Sequence, residues 1–266
     1  MSLLTFILMV LFGITAGIST GLTGASGVLI IVPLIDIFFG YSIHMAIGIS
    51  LIVDILAPLA IALIYSKYGN IDLKSGGWLA IGSILGAQLG AVLVTGIPSL
   101  GLGNLYGFVL VIMAIIMWRK GVEEDQLEGE PSESNKYITF EKNWHQILTV
   151  FSLGMLVGLM TGIFGAGGGL IFLVILVFVL QFPIHEAVGT SSLIMTITAF
   201  SGSIGYAIQG NMNLTAGLVI GISATIIGCF SAQYANRVDE HMLNKIISVV
   251  FAVLGIVMIL IRLIGN

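Results

Sequence analysis

Apolar runs of about the length needed to cross a bilayer recur along this chain, and they limit its fold more than any other feature. They fall at about 3–20, 43–66, 75–96, 104–118, 144–161, 185–208, 214–236 and 242–262, with shorter runs at 28–39 and 169–181. About 20 apolar residues cross roughly 30 Å of hydrocarbon as a helix. The runs are continuous and do not alternate with polar residues, which excludes a β-barrel. Composition agrees: 58% of residues are hydrophobic and 8% charged, against about a quarter charged in a soluble domain. The fold class is therefore an all-α polytopic membrane protein.

Residues 1–20 do not read as a cleavable signal peptide, because no Lys or Arg precedes the apolar stretch and no small-residue cleavage site follows it. The single cysteine, Cys229, can neither close an internal disulfide nor complete a cysteine metal site, and reads as apolar filler. No metal site, cofactor or catalytic residue is expected. The charges lie mostly in loops and form no basic patch, which excludes nucleic acid as a partner.

The chain is duplicated. Shifted by 141 residues, positions 13–73 lie on 154–214 without a gap. Gly13, Gly17, Thr20, Gly21, Gly24, Ala25 and Gly27 meet Gly154, Gly158, Thr161, Gly162, Gly165, Ala166 and Gly168. Ile43-His44 meets Ile184-His185, and Gly48 and Ser50 meet Gly189 and Ser191. Tyr65, Gly69 and Asn70 meet Tyr206, Gly210 and Asn211. Apolar matches alone would say little; glycines, a histidine and a Gly-Asn pair in register mean an internal repeat. Residues 1–118 and 144–266 are the two membrane repeats. The acidic, polar stretch 119–143, which holds Pro131, is a flexible linker between them.

Loop charges give the orientation. The linker carries Arg119, Lys120, Lys136 and Lys142 and is expected in the cytoplasm. Alternate loops at 67–74 and 237–241 hold Lys67, Lys74 and Arg237, while those at 97–103 and 209–213 hold no Lys or Arg. Five crossings per repeat, an odd number, would invert the halves, as in many secondary transporters.

The runs at 28–39 and 169–181 are too short to span alone, and each follows a glycine cluster. Broken or re-entrant helices are expected there. Backbone amides exposed at such a break must face protein or a water-filled cavity. A half-helix start presents its positive end to an anion, and glycines let the anion approach closely. The expected substrate-binding residues are Thr20, Thr23, Gly24, Ser26 and Gly27 in the first repeat. Their counterparts in the second are Thr161, Gly165, Gly167, Gly168 and Gly169. Ser50, Thr190, Ser191 and Ser192, at the starts of the third segments, either join the same cavity or bond back to their own helix. The earlier glycines, Gly13, Gly17 and Gly21 with their copies, read as helix-packing faces.

Asp54 is the one carboxylate near the middle of a long span, which makes it a candidate for proton coupling. Its repeat equivalent is Met195, so that role would be asymmetric. His44 and His185 are weaker proton-coupling candidates, since they sit where caps would sit.

Together these residues resemble the sulfite exporter TauE/SafE (TSUP) family. The resemblance rests on the duplicated glycine series and on the His44-Ala46-Gly48 and His185-Ala187-Gly189 openings. Tyr65-Gly69-Asn70 with its copy and the Gly82-Gly86-Gly90 helix add to it. It covers nearly the whole chain. It implies a secondary transporter of sulfite, sulfoacetate or another organosulfonate in the bacterial cytoplasmic membrane; monomer and homodimer both stay open. Ser26, where the second repeat has Gly167, is a departure that bears on the ligand alone.

Two other readings compete. A passive anion channel has the same sequence signature. Gly24-Ala25-Ser26-Gly27 also resembles the serine motif of rhomboid intramembrane proteases. That activity needs a base beside Ser26, and the spans after His185 hold no histidine where that family's base would lie. The copy Gly165-Ala166-Gly167-Gly168 accounts for the motif without catalysis.

Overall fold

The computed structural model describes residues 3–23, 26–96, 144–165 and 168–235. The linker at 119–143, the apolar runs at 104–118 and 242–262, and Gly24 and Gly167 lie outside the described residues. All regular structure among the described residues is helical. The first repeat contributes α1 (Leu3–Thr23), α2 (Val28–Phe39), α3 (Ile43–Lys67) and α4 (Leu73–Leu93), which ends in a short 3-10 turn, Val94–Gly96. The second contributes α5 (Trp144–Phe164), α6 (Gly168–Val174), α7 (Ile184–Ile208) and α8 (Leu214–Ala235). A π-helical turn at Ile175–Val179 extends α6. The helices α1, α3, α4, α5, α7 and α8 are long and apolar enough to cross a membrane.

Glycines set how these helices meet. A Cβ on Gly13, Gly17 or Gly21 would strike the carbonyls of Ile220, Ala224 and Gly228 on α8. The repeat copies do the same: Gly154, Gly158 and Gly162 press on the carbonyls of Leu79, Ser83 and Ala87 on α4. In hydrocarbon, helices gain little by hiding apolar surface from lipid, so close backbone approach over small residues drives association. The early glycines are packing faces, as their spacing suggests.

These registers also fix direction. Gly13, Gly17 and Gly21 meet successively later residues of α8, so α1 and α8 run parallel. Gly217, Gly221 and Gly228 meet Ile52, Leu56 and Ile61, so α3 is parallel to α8 as well. By the same test α5 runs with α4. Ser83 bonds Thr198 at 2.6 Å and Gln88 bonds the Ser201 carbonyl at 2.6 Å, so α7 also runs with α4. The tight turn at Tyr68–Asp72 makes α4 antiparallel to α3. Each helix of the first repeat therefore opposes its copy in the second, and the halves are inverted.

The same directions settle the short segments. Because α1 and α3 are parallel, the chain between them returns across the bundle, and a dip that re-emerges on its own side is excluded. The 12 residues of α2 supply about 18 Å of that return. The broken description holds and the re-entrant one does not. In the second repeat the return helix is broken further, since α6 gives way to the π turn. That turn closes through Leu180 N–H to the Ile175 carbonyl (3.0 Å) and Phe182 N–H to the Leu176 carbonyl (2.9 Å).

The two related interfaces differ in chemistry. Where α4 meets α7, Ser83, Thr198, Gln88 and Ser201 pair, and Gln209 Nε2 donates to the Ala91 carbonyl at 2.8 Å. Where α3 meets α8, the equivalent positions are Ala224, Ala57, Cys229 and Ala60. Large apolar side chains such as Leu85, Leu148, Ile222 and Phe230 are exposed on the outer surface, which suits lipid.

Candidate functional site

Thr20, in the last turn of α1, organises the first break. Its hydroxyl donates to the Ala16 carbonyl (2.9 Å) and accepts the Gly27 amide (3.0 Å). That bond holds the start of α2 beside the last two turns of α1. A Cβ on Gly27 would collide with Ala16, so only glycine fits there. The second break repeats the plan. Thr161 donates to the Val157 carbonyl at 2.9 Å, and Gly168 sits so close that a Cβ would strike the Thr161 hydroxyl. Gly165 leaves α5 with φ at +65° and its amide on the Thr161 carbonyl at 2.7 Å. That left-handed conformation costs glycine least. Ile47 occupies the space a side chain at Gly165 would need, so α3 of the first repeat packs directly on the break of the second.

Ser26 and Asp54 meet at the first break. Ser26 Oγ donates to Asp54 Oδ2 at 2.6 Å, and both residues are buried. Asp54 lies about 16 Å along α3 from its start, level with the middle of the neighbouring helices. Pro58 follows four residues later. Proline has no N–H, so the Asp54 carbonyl lacks its intrahelical donor. The second repeat has Gly167, Met195 and Ala199 at these three places. The polar group at mid-depth therefore belongs to one repeat only. Asp54 was legible as an intramembrane carboxylate; its pairing with Ser26, 28 positions away, was not.

The other expected hydroxyls divide. Ser50 donates to the Ile47 carbonyl (2.6 Å), and Ser191 (3.0 Å) and Ser192 (2.8 Å) both donate to the Val188 carbonyl. This is the back-bonding alternative, and it commits their protons to their own helices. Thr190 Oγ1 accepts the Asp72 amide at 3.1 Å and so ties the α3–α4 turn to α7. Gly169 lies in the first turn of α6, and the side chain of Thr23, the last residue of α1, lies outside the described side chains. His44 Nε2 lies 3.4 Å from the Val94 carbonyl and His185 Nε2 lies 3.1 Å from the Ala235 carbonyl. Both histidines brace the ends of their own repeats and stand away from Asp54. Gln88 belongs to the α4–α7 seam, and Gln233 is exposed.

Sequence reasoning missed that seam because lone Ser and Thr residues in apolar helices carry no periodic signal. It also missed the role of Thr20, although the matched Thr20 and Thr161 were visible in the repeat.

Inverted halves with a broken helix in each are a plan that recurs among secondary membrane transporters. The family model for sulfite exporter TauE/SafE matches residues 9–258. The chain belongs to that family, which is one of membrane transporters and not of enzymes. The probable membrane transporter protein YdhB of Bacillus subtilis is 28% identical, over 95% of this chain and 99% of its own length. YunE of the same organism, also a probable membrane transporter protein, is 25% identical over 95% and 96%. The probable membrane transporter protein MJ0441 of Methanocaldococcus jannaschii is 23% identical over 97% of each. No solved structure matches.

Proposed function

We propose that this protein is a secondary transporter of a small sulfur-containing anion, sulfite or an organosulfonate such as sulfoacetate. The anion binds between the two breaks, and one repeat moves against the other to open the site to each side in turn. The observation that carries this reading is the pair of equivalent breaks in inverted halves, one beside a buried carboxylate.

The first-turn amides of a half-helix have no intrahelical partners and carry the positive end of its dipole. Lys and Arg are confined to helix ends among the described spans, at Lys67 and Lys74. A backbone cradle at the breaks therefore supplies the attraction for an anion: we assign Gly24, Gly167 and Gly169 to it, while Gly27, Gly165 and Gly168, whose Cβ space Ala16, Ile47 and Thr161 fill, hold the broken backbone in place. Ser26 adds a hydroxyl and Asp54 a proton site. Ser50, Thr190, Ser191 and Ser192 shape the surrounding wall, and Thr20 and Thr161 hold the breaks.

The family description supports a sulfur oxyanion as substrate. Residues 1–118 and 144–266 form the moving repeats and 119–143 the cytoplasmic linker, in the cytoplasmic membrane of a bacterium. Thermal unfolding of the purified protein against sulfite, sulfate, thiosulfate, sulfoacetate and taurine tests the reading, since a ligand of the folded state raises the midpoint by mass action. A rise with at least one anion is expected. No rise with any of them contradicts the anion site.

A further inference from the structure

Ser26 has one hydroxyl proton, and in this structure Asp54 takes it. A hydroxyl donates once, whereas a carboxylate can only accept. An anion at the break needs donors, so it competes with ionised Asp54 for the Ser26 proton. Resting on the anion site proposed above, we infer that Ser26 is the element that couples proton to anion: it donates either to ionised Asp54 or to the bound anion, so binding takes up one proton on Asp54.

The exchange balances. One proton from water bonds to an Asp54 carboxylate oxygen. The new Asp54 O–H donates to Ser26 Oγ, and the Ser26 O–H turns to the anion. No other bond is made or broken, and proton and anion cross together as a symport.

Three features of the molecule favour this device. The hydroxyl protons of Thr20, Thr161, Ser50, Ser191 and Ser192 all go to backbone carbonyls, which do not titrate. Ser26 alone among the expected site hydroxyls with a described donor bond gives its proton to an ionisable group. The second repeat replaces both partners, with Gly167 and Met195, which limits the device to one proton per cycle.

Other titratable or charged groups on the packed elements are few. Helix α1 has none and α2 has Asp36. Helix α7 has His185, Glu186 and Tyr206, and α8 has Cys229 and Tyr234. On α3 itself are His44, Tyr65 and Lys67. Tyr65 and Tyr206 hydrogen-bond to Gly21 and Gly162, and His44 and His185 lie against Val94 and Ala235. Among the described residues Ser26 is the hydrogen-bond partner of Asp54.

The test is the affinity of the purified full-length protein for sulfoacetate, by titration calorimetry between about pH 6 and pH 9, where both anionic groups of the probe stay ionised. Wild-type affinity is expected to fall as pH rises, by about tenfold in all across the Asp54 titration. Ser26→Ala should bind about tenfold more weakly at the acid end, as for a lost bond to a charged group, and should equal wild type at the alkaline end. Asp54→Asn should bind with no pH dependence. Ser26→Gly and Asp54→Met install the residues of the second repeat, and should repeat these results if either first variant misfolds. A Ser26→Ala deficit of equal size at every pH overturns the exchange, as does an unchanged slope in Asp54→Asn. Wild type that binds no sulfoacetate at any pH overturns the anion site itself, and the exchange with it.

Discussion

The Tyr206 hydroxyl donates to the Gly162 carbonyl across 3.0 Å, and Tyr65 makes the copy of that bond to Gly21 at 3.5 Å. Both rings are buried, and each ties the far end of a long central helix to the last turn before a break. The carbonyl at such a helix end lacks an intrahelical donor, so the tyrosine satisfies an acceptor that lipid could not. Tyr206→Phe should lower stability by about 1 kcal/mol. Tyr65→Phe should cost less, since its bond is longer. Thermal unfolding in detergent reads the order; a larger loss for Tyr65→Phe would contradict it.

Close helix contact predicts a contrast between glycines. Gly158→Ala drives a methyl group into the Ser83 backbone, and helix and neighbour must part. The expected cost is about 1–3 kcal/mol. Gly77, in α4, has nothing within 4 Å of an added Cβ, so Gly77→Ala should be neutral or gain up to about 1 kcal/mol of helix propensity. Unfolding midpoints of the two variants check this directly.

Inversion of the halves predicts where labels reach. With Cys229 replaced by Ala, a cysteine at Tyr68, after α3, should react with an impermeant thiol reagent from the cytoplasmic side only. A cysteine at Leu214, after α7, should react from the opposite side only. A cysteine at Ser134, in the linker, should behave like the one at Tyr68. Tyr68, just past α3, and Leu214, the first residue of α8, are exposed at 47% and 62%, so reactivity reports sidedness and not burial.

Much of this architecture was legible because it is written in backbone needs. A glycine that recurs in register marks either a helix crossing or a break, and the structure assigns Gly13, Gly17 and Gly21 to the first and Gly27 to the second. The inversion was expected from an odd number of crossings per repeat, and the contact registers of Gly13, Gly154 and Gly217 with the α3–α4 turn reach it independently. The site was harder to read. Ser50, Ser191 and Ser192 look like ligand donors in sequence, yet each bonds to a carbonyl of its own helix, a choice that depends on rotamer and not on residue type. Whether α2 dips or crosses depended on the relative direction of α1 and α3, which no local pattern carries. The Ser26–Asp54 pair joins residues from a break and a helix centre, and only packing brings them together.

We propose above that this transporter carries a sulfur anion by alternating access. Counterflow tests it most directly. Proteoliposomes are loaded with unlabelled sulfite, diluted, and given a trace of labelled sulfite outside. A carrier exchanges the two through one site, so transient labelled uptake several-fold above liposomes loaded with chloride is expected. Uptake that internal sulfite does not stimulate would indicate a channel, and no uptake above protein-free liposomes would contradict sulfite transport altogether.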